Sequence, residues 1–163
     1  MISKKVILTG SFGVGKTSLF NQFIFKTFSD KYLTTIGVKV NKRVVTIDDQ
    51  EVSILLWDIA GEISQDKVPN SYFLGASAII YVVDLNRPIT FQNAKTDLDH
   101  LKKIIPDSLI KVVGNKIDLI EEDKIEDLKS IMPVPCDIFT SAKNGINVED
   151  LFSQLASELL ANN

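Results

Sequence analysis

Length, composition and charge restrict this chain to a narrow class of proteins. Its 163 residues suit one ordinary domain, and 45% hydrophobic with 24% charged residues is typical of a folded protein with a full core. The net charge of −3 excludes a general affinity for nucleic acids or anionic membranes. The single cysteine, Cys136, excludes a disulfide framework and a cysteine-rich zinc site. We expect one domain over residues 1–163.

The sequence predicts neither a membrane segment nor a lipid anchor. No apolar run approaches the roughly 18 residues of a spanning helix. Ile2 stands where N-myristoylation requires glycine, and the final "ELLANN" has no cysteine box for prenylation. A lone cysteine also favours a reducing compartment. We therefore expect a cytoplasmic, monomeric protein with no nucleic-acid partner and no intrinsic membrane anchor.

The first half of the chain predicts a strand, a helix and a hairpin. "KVILTG" is a short buried strand, and "KTSLFNQFIF" places four apolar residues on one helical face: Leu19, Phe20, Phe23 and Ile24. "VKVNKRVVTI" and "VSILLWDI" flank "DDQE", which predicts two strands joined by a turn. Periodicity thus changes from strand to helix and back within the first 60 residues.

The second half continues this alternation. "SAIIYVVD" and "LIKVVGNKID" are apolar runs typical of strands covered on both faces. Between them a helix is predicted to have Pro88 in its first turn and to end at Pro106. "DIFTSA" predicts a last short strand, and Asn147 is a candidate cap of the final helix. The pattern predicts an α/β fold with a mostly parallel sheet, whose ligands bind beyond the carboxyl ends of the strands.

A candidate phosphate loop lies between the first strand and the first helix. "GSFGVGKT", residues 10–17, fits the pattern G-x-x-x-x-G-K-[ST] in the required context. Glycines let backbone N–H groups converge on phosphate oxygens, and the helix N-terminus adds a positive dipole end. Lys16 supplies a charge for the phosphates, and the Thr17 hydroxyl can bind Mg²⁺. Alone, this loop suits an ATPase, a kinase or a GTPase.

A second motif favours guanine over adenine. "NKID", residues 115–118, follows a predicted strand and so lies at the same sheet edge as the phosphate loop. Guanine presents an N1–H and an N2–H₂ side by side, and the Asp118 carboxylate can accept both. Adenine leaves that acceptor unmatched, at a cost of about 1–3 kcal/mol.

Three further motifs are weak singly. "WDIAGE", residues 57–62, brings Asp58 to a strand end and leaves the Gly61 N–H free to meet a γ-phosphate. "TTIGV", residues 34–38, offers the Thr35 hydroxyl as a second metal ligand. "TSAK", residues 140–143, follows the last strand, where the Ala142 N–H can meet the guanine O6.

Together and in this order, these motifs resemble the Ras superfamily of small GTPases, most closely its Rab-like branch. The resemblance extends from Lys5 to Leu160, and "AGEISQDKVPNSYFLGA" keeps the length and the Tyr-x-x-Gly-Ala ending of the Rab pattern. It implies the P-loop NTPase fold of a Ras-like G domain, with a mostly parallel six-stranded sheet and helices on both faces. It also implies a molecular switch that binds GTP or GDP with Mg²⁺ and hydrolyses GTP. The implied partners are effector proteins, an exchange factor and a GTPase-activating protein.

The resemblance also implies residue roles. Effectors contact switch I, around residues 29–37, and switch II, around residues 60–74. Phe28 stacks edge-on against the guanine, and the Lys116 stem lies on its face. The implied metal-binding residues are Thr17 and Thr35, which ligate Mg²⁺ directly, and Asp58, which acts through a water. The implied catalytic residues are Lys16, Thr35, Gly61 and Glu62. The implied nucleotide-binding residues are Gly13, Val14, Gly15, Lys16, Thr17, Ser18, Phe28, Tyr32, Thr35, Gly61, Asn115, Lys116, Asp118, Ser141, Ala142 and Lys143.

Two residues depart from the family at the catalytic centre. Phe12 replaces a small residue, and Glu62 replaces the glutamine that orients the attacking water. Ionised glutamate only accepts hydrogen bonds, whereas glutamine also donates. Neither arginine, Arg43 nor Arg87, is expected to reach the phosphates in cis. We expect slow hydrolysis with intact nucleotide binding, unless Gln65 or a partner compensates.

Other interpretations stay open at this point. A GTP-bound scaffold without turnover is the alternative to a switch, while "NKID" and the absence of a lid segment disfavour an ATP-dependent kinase. His100 is expected to be a solvated surface group. Trp57 and Tyr72 match two of the three aromatic residues with which Rab-like proteins sense effectors, but the third position is Val40.

Overall fold

The computed structural model describes residues 1–31, 35, 37–61 and 68–163. Within these residues the chain forms a six-stranded sheet with the order β2-β3-β1-β4-β5-β6. The β2–β3 pair is antiparallel, and the other four pairs are parallel. The predicted α/β class with a mostly parallel sheet is therefore confirmed. The strands are β1 (Ile2–Thr9), β2 (Val38–Ile47), β3 (Gln50–Ile59), β4 (Ala78–Asp84), β5 (Leu109–Asn115) and β6 (Ile138–Phe139).

Helices cover both faces of the sheet. Helices α1 (Lys16–Phe25) and α4 (Val148–Ala161) pack on one face, while α2 (Ala94–Ile104) and α3 (Ile125–Ile131) pack on the other. No helix in the described ranges is long and apolar enough to cross a membrane. Short 3₁₀ helices cover Asn70–Phe73, Pro88–Thr90, Ile117–Leu119 and Glu122–Lys124.

The burial of strand β4 on both faces explains why its sequence is continuously apolar. All seven of its residues are buried, and successive side chains enter opposite cores. Ile80 and Val82 belong to the core under α1 and α4, whereas Ile79 and Tyr81 belong to the core under α2. A strand with both faces covered has no solvent-facing positions, so no polar alternation is expected. The sequence-based prediction for this strand is confirmed.

The hairpin is tighter than predicted. Strand β3 begins at Gln50, so only Asp48 and Asp49 connect it to β2. Both residues have positive φ, 46° and 63°. Two-residue hairpin turns with positive φ match the right-handed twist of the strands they join, and aspartate tolerates this conformation.

Two helix starts differ from the prediction. Pro88 opens a separate 3₁₀ turn, and α2 begins only at Ala94, because the Thr90 hydroxyl bonds the backbone at Asp84 and folds the chain into a tight turn. Asn147 does not cap α4 through its side chain. Its backbone is left-handed, with φ 59°, and its amide Nδ2 instead donates to the Phe139 carbonyl at 2.8 Å.

The Phe23–Phe152 pair is expected to be a main stabilising contact between α1 and α4. The rings stack with centroids 3.7 Å apart, and both side chains are fully buried. Phe152→Ala should lower the free energy of unfolding by about 3–5 kcal/mol because it leaves a cavity in the core. Urea unfolding followed by circular dichroism measures this. Ile131→Ala is the control, since Ile131 is 61% exposed; equal losses in the two variants would contradict the prediction.

Candidate functional site

The carboxyl ends of the parallel strands open onto one cavity of about 620 Å³. This volume lies within the range of small-molecule sites. Its wall comes from the phosphate loop, the start of α1, residues 28–31, and the segments that follow β3, β5 and β6. The motifs that were separate in sequence therefore meet at one edge of the sheet, as the topology predicted.

Glycines in the phosphate loop permit two close approaches within the protein. At Gly10, φ is 143°, and an added Cβ would overlap the Val82 carbonyl of β4. At Gly15, φ is 101°, and an added Cβ would overlap the Asn115 amide. The loop thus needs glycine for packing against its own scaffold as well as for contact with a ligand.

Lys16 is a buried cation whose hydrogen-bond partners carry no charge. Its side chain is 6% exposed, and Nζ donates to the Gly10 and Ser11 carbonyls, each at 2.9 Å. Burial lowers the pKa of Lys16 to about 8, although the nearby Asp58 opposes the shift. An ammonium group that lacks most of its hydration gains strongly from an added anion. The position suits a phosphate group.

Side chains from the end of β5 hold the outer side of this loop. Asn115 Nδ2 donates to the Val14 carbonyl at 3.0 Å, and Lys116 Nζ donates to the Gly13 carbonyl at 2.8 Å. Asn115 Oδ1 accepts hydrogen bonds from the Thr140 hydroxyl and the Ala142 N–H. Asn115 therefore joins the phosphate loop to the segment after β6.

The other end of the cavity carries the residues predicted to bind a base. Asp118 lines it, and Asp118 Oδ1 accepts a hydrogen bond from the Ser141 hydroxyl at 2.8 Å. Ser141 itself is fully buried, so its contribution is to orient this carboxylate. Val14 is also buried in the core and can offer a ligand only its backbone. Further predicted residues that line the cavity are Gly13, Ser18, Phe28, Lys116, Ala142 and Lys143.

Three oxygen-bearing side chains form a candidate Mg²⁺ site beside Lys16. The Thr17 hydroxyl donates to Asp58 Oδ2 at 2.6 Å, and the Thr35 hydroxyl contacts both groups. Asp58 is fully buried, and Oδ1 has no hydrogen-bond partner among the described residues. Burial raises the pKa of Asp58, while the Thr17 hydrogen bond and the charge of Lys16 oppose the shift. A buried, unpartnered carboxylate oxygen fits a hard cation.

The donor set suits a cation that arrives with a nucleotide. The described residues contain no cluster of three or more His, Cys, Asp or Glu side chains that could hold a metal alone. Mg²⁺ commonly uses one or two carboxylates and completes its coordination with substrate phosphates and water. One carboxylate and two hydroxyls next to a phosphate loop match that requirement.

Comparison with known proteins gives the same result as the geometry. The family model described as "Ras family" matches residues 5–161. The chain is also 36% identical to the Ypt/Rab-type GTPase ypt7 of Pyricularia oryzae, over 96% of this chain and 82% of that protein. The chain belongs to the Ras family. It is a Rab-like small GTPase, and members of this family bind GTP or GDP with Mg²⁺ and hydrolyse GTP.

Some predicted residues of this Rab-like GTPase lie outside the described part of the chain. Among them are Tyr32, predicted to bind the nucleotide, and Glu62, predicted to be catalytic. Gln65, considered as a substitute for Glu62, is a third. Of the other predicted catalytic residues, Lys16, Thr35 and Gly61 all line the cavity.

Arg87 and Lys39 were not predicted as site residues, yet both lie close to the cavity. Arg87 was predicted not to serve in cis, and it is not among the described residues that line the cavity. Its Nη1 nevertheless donates to the Phe12 carbonyl at 3.2 Å, because the tight turn at Pro88 brings it back over the phosphate loop. Lys39 lies opposite Asp58 in the β2–β3 pair and lines the cavity. No local motif marks either residue, since both contacts depend on the register and on turns of the folded chain.

His100 was predicted to be a solvated surface group, and this prediction is wrong. His100 Nε2 is buried without a hydrogen-bond partner in the described ranges, because His100 flanks the face of α2 that carries buried Asp97 and partly buried Ile104.

The aromatic residues Trp57 and Tyr72 are both partly buried. Lys5 Nζ lies 3.9 Å from the centre of the Trp57 ring. Trp57 therefore packs as part of the fold while keeping some exposed surface.

Gly15→Ala should disrupt nucleotide binding by this GTPase. The added Cβ overlaps the Asn115 amide, so either the loop or Asn115 must move. We expect nucleotide affinity to fall at least about 100-fold, equivalent to roughly 3 kcal/mol. Fluorescent-GDP titration measures it. Gly75→Ala is the matched control, because Gly75 also has positive φ but nothing lies within 4 Å of its added Cβ. Similar losses in both variants would show that backbone strain, not the overlap, is responsible.

Proposed function

We propose that this Rab-like GTPase is a guanine-nucleotide switch that binds GTP and GDP with Mg²⁺ and hydrolyses GTP slowly. The observation that carries the proposal is one cavity lined by both the phosphate loop and Asp118, with Asp58 bonded to its lining residue Thr17. Each group has a chemical counterpart in a guanine nucleotide. The likeness to a protein called a Ypt/Rab-type GTPase supports the same function.

Base selection is assigned to Asp118. The Ser141 hydroxyl holds one oxygen of this carboxylate, which fixes its orientation at the cavity wall. A fixed carboxylate pairs with the adjacent N1–H and N2–H₂ donors of guanine, while adenine has no matching pair. Phe28, which is 37% exposed, and Lys116 also line the cavity and would provide apolar surface for the base.

Phosphate binding is assigned to Lys16 and to the backbone of residues 13–17. Lys16 is poorly solvated and lies at the N-terminus of α1, where the helix dipole adds positive potential. Thr17, Thr35 and Asp58 are the residues that would hold Mg²⁺, which when bound would supply charge neutralisation for the phosphate oxygens. Because Thr35 belongs to switch I, the same site can couple the nucleotide state to that segment.

Slow hydrolysis is inferred from Phe12 and Glu62. Phe12 lines the cavity, and its backbone lies directly against Gly61, where an added Cβ would overlap it. Glu62 follows Gly61 in the sequence and lacks the donor that a glutamine would offer to the developing charge. A side chain as large as Phe12 also narrows the approach of water and of a partner's arginine. Phe12 and Glu62 are therefore expected to affect the rate of GTP hydrolysis more than the affinity for nucleotide.

The partners of this chain are proposed from its membership of the Rab-like GTPases. Effector proteins would bind switch I and switch II, and an exchange factor and a GTPase-activating protein would set the nucleotide state.

A second candidate function is a GTP-bound scaffold without useful turnover, which Phe12 and Glu62 also favour. Hydrolysis in a single turnover distinguishes the scaffold from the switch.

Asp118→Asn should transfer specificity from guanine to xanthine. The substitution replaces one acceptor by a donor, and xanthine has an oxygen where guanine has its amino group. We expect GTP affinity to fall and xanthosine triphosphate affinity to rise, each by at least about tenfold. Competition against fluorescent GDP measures both. Asp123→Asn is the control, since Asp123 is exposed and outside the cavity. ATP binding by the unmodified protein within about tenfold of GTP would refute the guanine assignment.

Intrinsic hydrolysis should be slower than about 10⁻⁴ per second, the order known for Ras. Single-turnover rates would be compared for the unmodified chain, Glu62→Gln, Phe12→Gly and the double variant. We expect the double variant to be fastest, with GTP affinity nearly unchanged and effects that do not simply add. No detectable turnover in the unmodified chain supports the scaffold. A rate at the Ras level that neither substitution changes would overturn the proposal.

A further inference from the structure

We propose that Arg87 is a positioning residue of the phosphate loop, which it holds together with Lys116 from a shared buried anchor, Asp84. The proposal rests on the proposed function, since it concerns how this loop is prepared for phosphates. Its basis is a set of hydrogen bonds from three side chains to successive carbonyls of the loop. Arg87 is not among the described residues that line the cavity, so it acts through the loop backbone.

The anchor is the carboxylate at the end of β4. Asp84 is 1% exposed, and its Oδ2 lies 2.9 Å from Lys116 Nζ and 3.9 Å from Arg87 Nη1. Its Oδ1 accepts the Asn86 N–H at 2.9 Å, which fixes the carboxylate plane. A buried carboxylate requires compensating charge, and here two cations supply it. Both cations are thereby held at defined positions beside the loop.

Three successive carbonyls of the loop are each held by a side chain. Arg87 Nη1 donates to the Phe12 carbonyl at 3.2 Å, Lys116 Nζ to that of Gly13 at 2.8 Å, and Asn115 Nδ2 to that of Val14 at 3.0 Å. In a trans peptide the carbonyl and the following N–H point in opposite directions. Holding each carbonyl at its donor therefore directs the following N–H groups, those of residues 13–15, away from these donors. Gly13 and Gly15 both line the cavity.

The Phe12–Gly13 peptide is the one that Arg87 restrains. Gly13 has φ 78°, and a glycine on one side lets the peptide rotate at low cost. A rotated peptide would present the Phe12 carbonyl, instead of the Gly13 N–H, to an anionic ligand. Arg87 opposes that rotation with a charged donor. Because the Arg87 side chain is 45% exposed, solvent weakens the contact and a moderate effect is expected.

Arg87→Ala, Arg87→Lys and Arg43→Ala test the proposal in the full chain. Arg43 is the matched control: it is the other arginine, and it binds Glu149 and the Phe23 carbonyl outside the cavity. The measurements are release of fluorescent GDP, the ³¹P shift of the β-phosphate of bound GDP, and thermal unfolding. We expect Arg87→Ala to accelerate release about two- to fivefold and to move the ³¹P shift. Arg87→Lys should restore most of both, and Arg43→Ala should alter only unfolding.

The outcomes separate this proposal from the proposed function. If the unmodified chain binds GDP but Arg87→Ala leaves release and the ³¹P shift unchanged, Arg87 has no positioning role and the proposed function stands. Equal acceleration by Arg43→Ala would assign the effect to general loosening and overturn the proposal, as would a lysine variant as fast as the alanine variant. If the unmodified chain binds no guanine nucleotide, the proposed function and this proposal both fail.

Discussion

The buried side chain of Asn115 connects the parts on which the whole cavity depends. Its amide nitrogen holds the Val14 carbonyl, and its amide oxygen receives hydrogen bonds from Thr140 and Ala142. One amide is thus satisfied by the phosphate loop and by the segment after β6, so neither can shift without leaving a buried polar group unpaired. The glycine at position 15 is required because this amide occupies the space of a Cβ. The contact with Asn115 that packs the phosphate loop against the sheet is therefore also the contact that holds the loop in place at the cavity.

The cavity concentrates charge that the protein alone does not balance well. Lys16 has a lowered pKa and Asp58 a raised one, both because burial disfavours the ionised form. In an anionic nucleotide with a divalent cation, each of these two groups would find the opposite charge that it lacks. Ligands that bind only the folded state stabilise it by mass action. Nucleotide and Mg²⁺ are therefore expected to contribute to folding stability as well as to function.

The sequence was sufficient for the strands, the main helices and the motif-bearing loops, because local periodicity and glycine spacing determine them. Sequence-based predictions were wrong where a tertiary contact overrides a local sequence signal. Pro88 was assigned to a long helix, but the Thr90 hydroxyl closes a separate turn. Asn147 looks like a cap, but its amide reaches back to β6. Arg87 reaches the phosphate loop only because that turn exists, and a contact across 75 residues leaves no pattern in the sequence.

A bulky residue at position 12 is compatible with a loop that binds through its backbone. The loop presents N–H groups, and the carbonyls behind them are fixed by Arg87, Lys116 and Asn115 whatever side chain stands at position 12. The Phe12 ring is 46% exposed, so it extends from the loop without filling the core. Under the proposed function, such a ring would narrow the space above the phosphates, where water and a partner must enter. Affinity and turnover are then expected to be separable, because different atoms of the same residue would affect each.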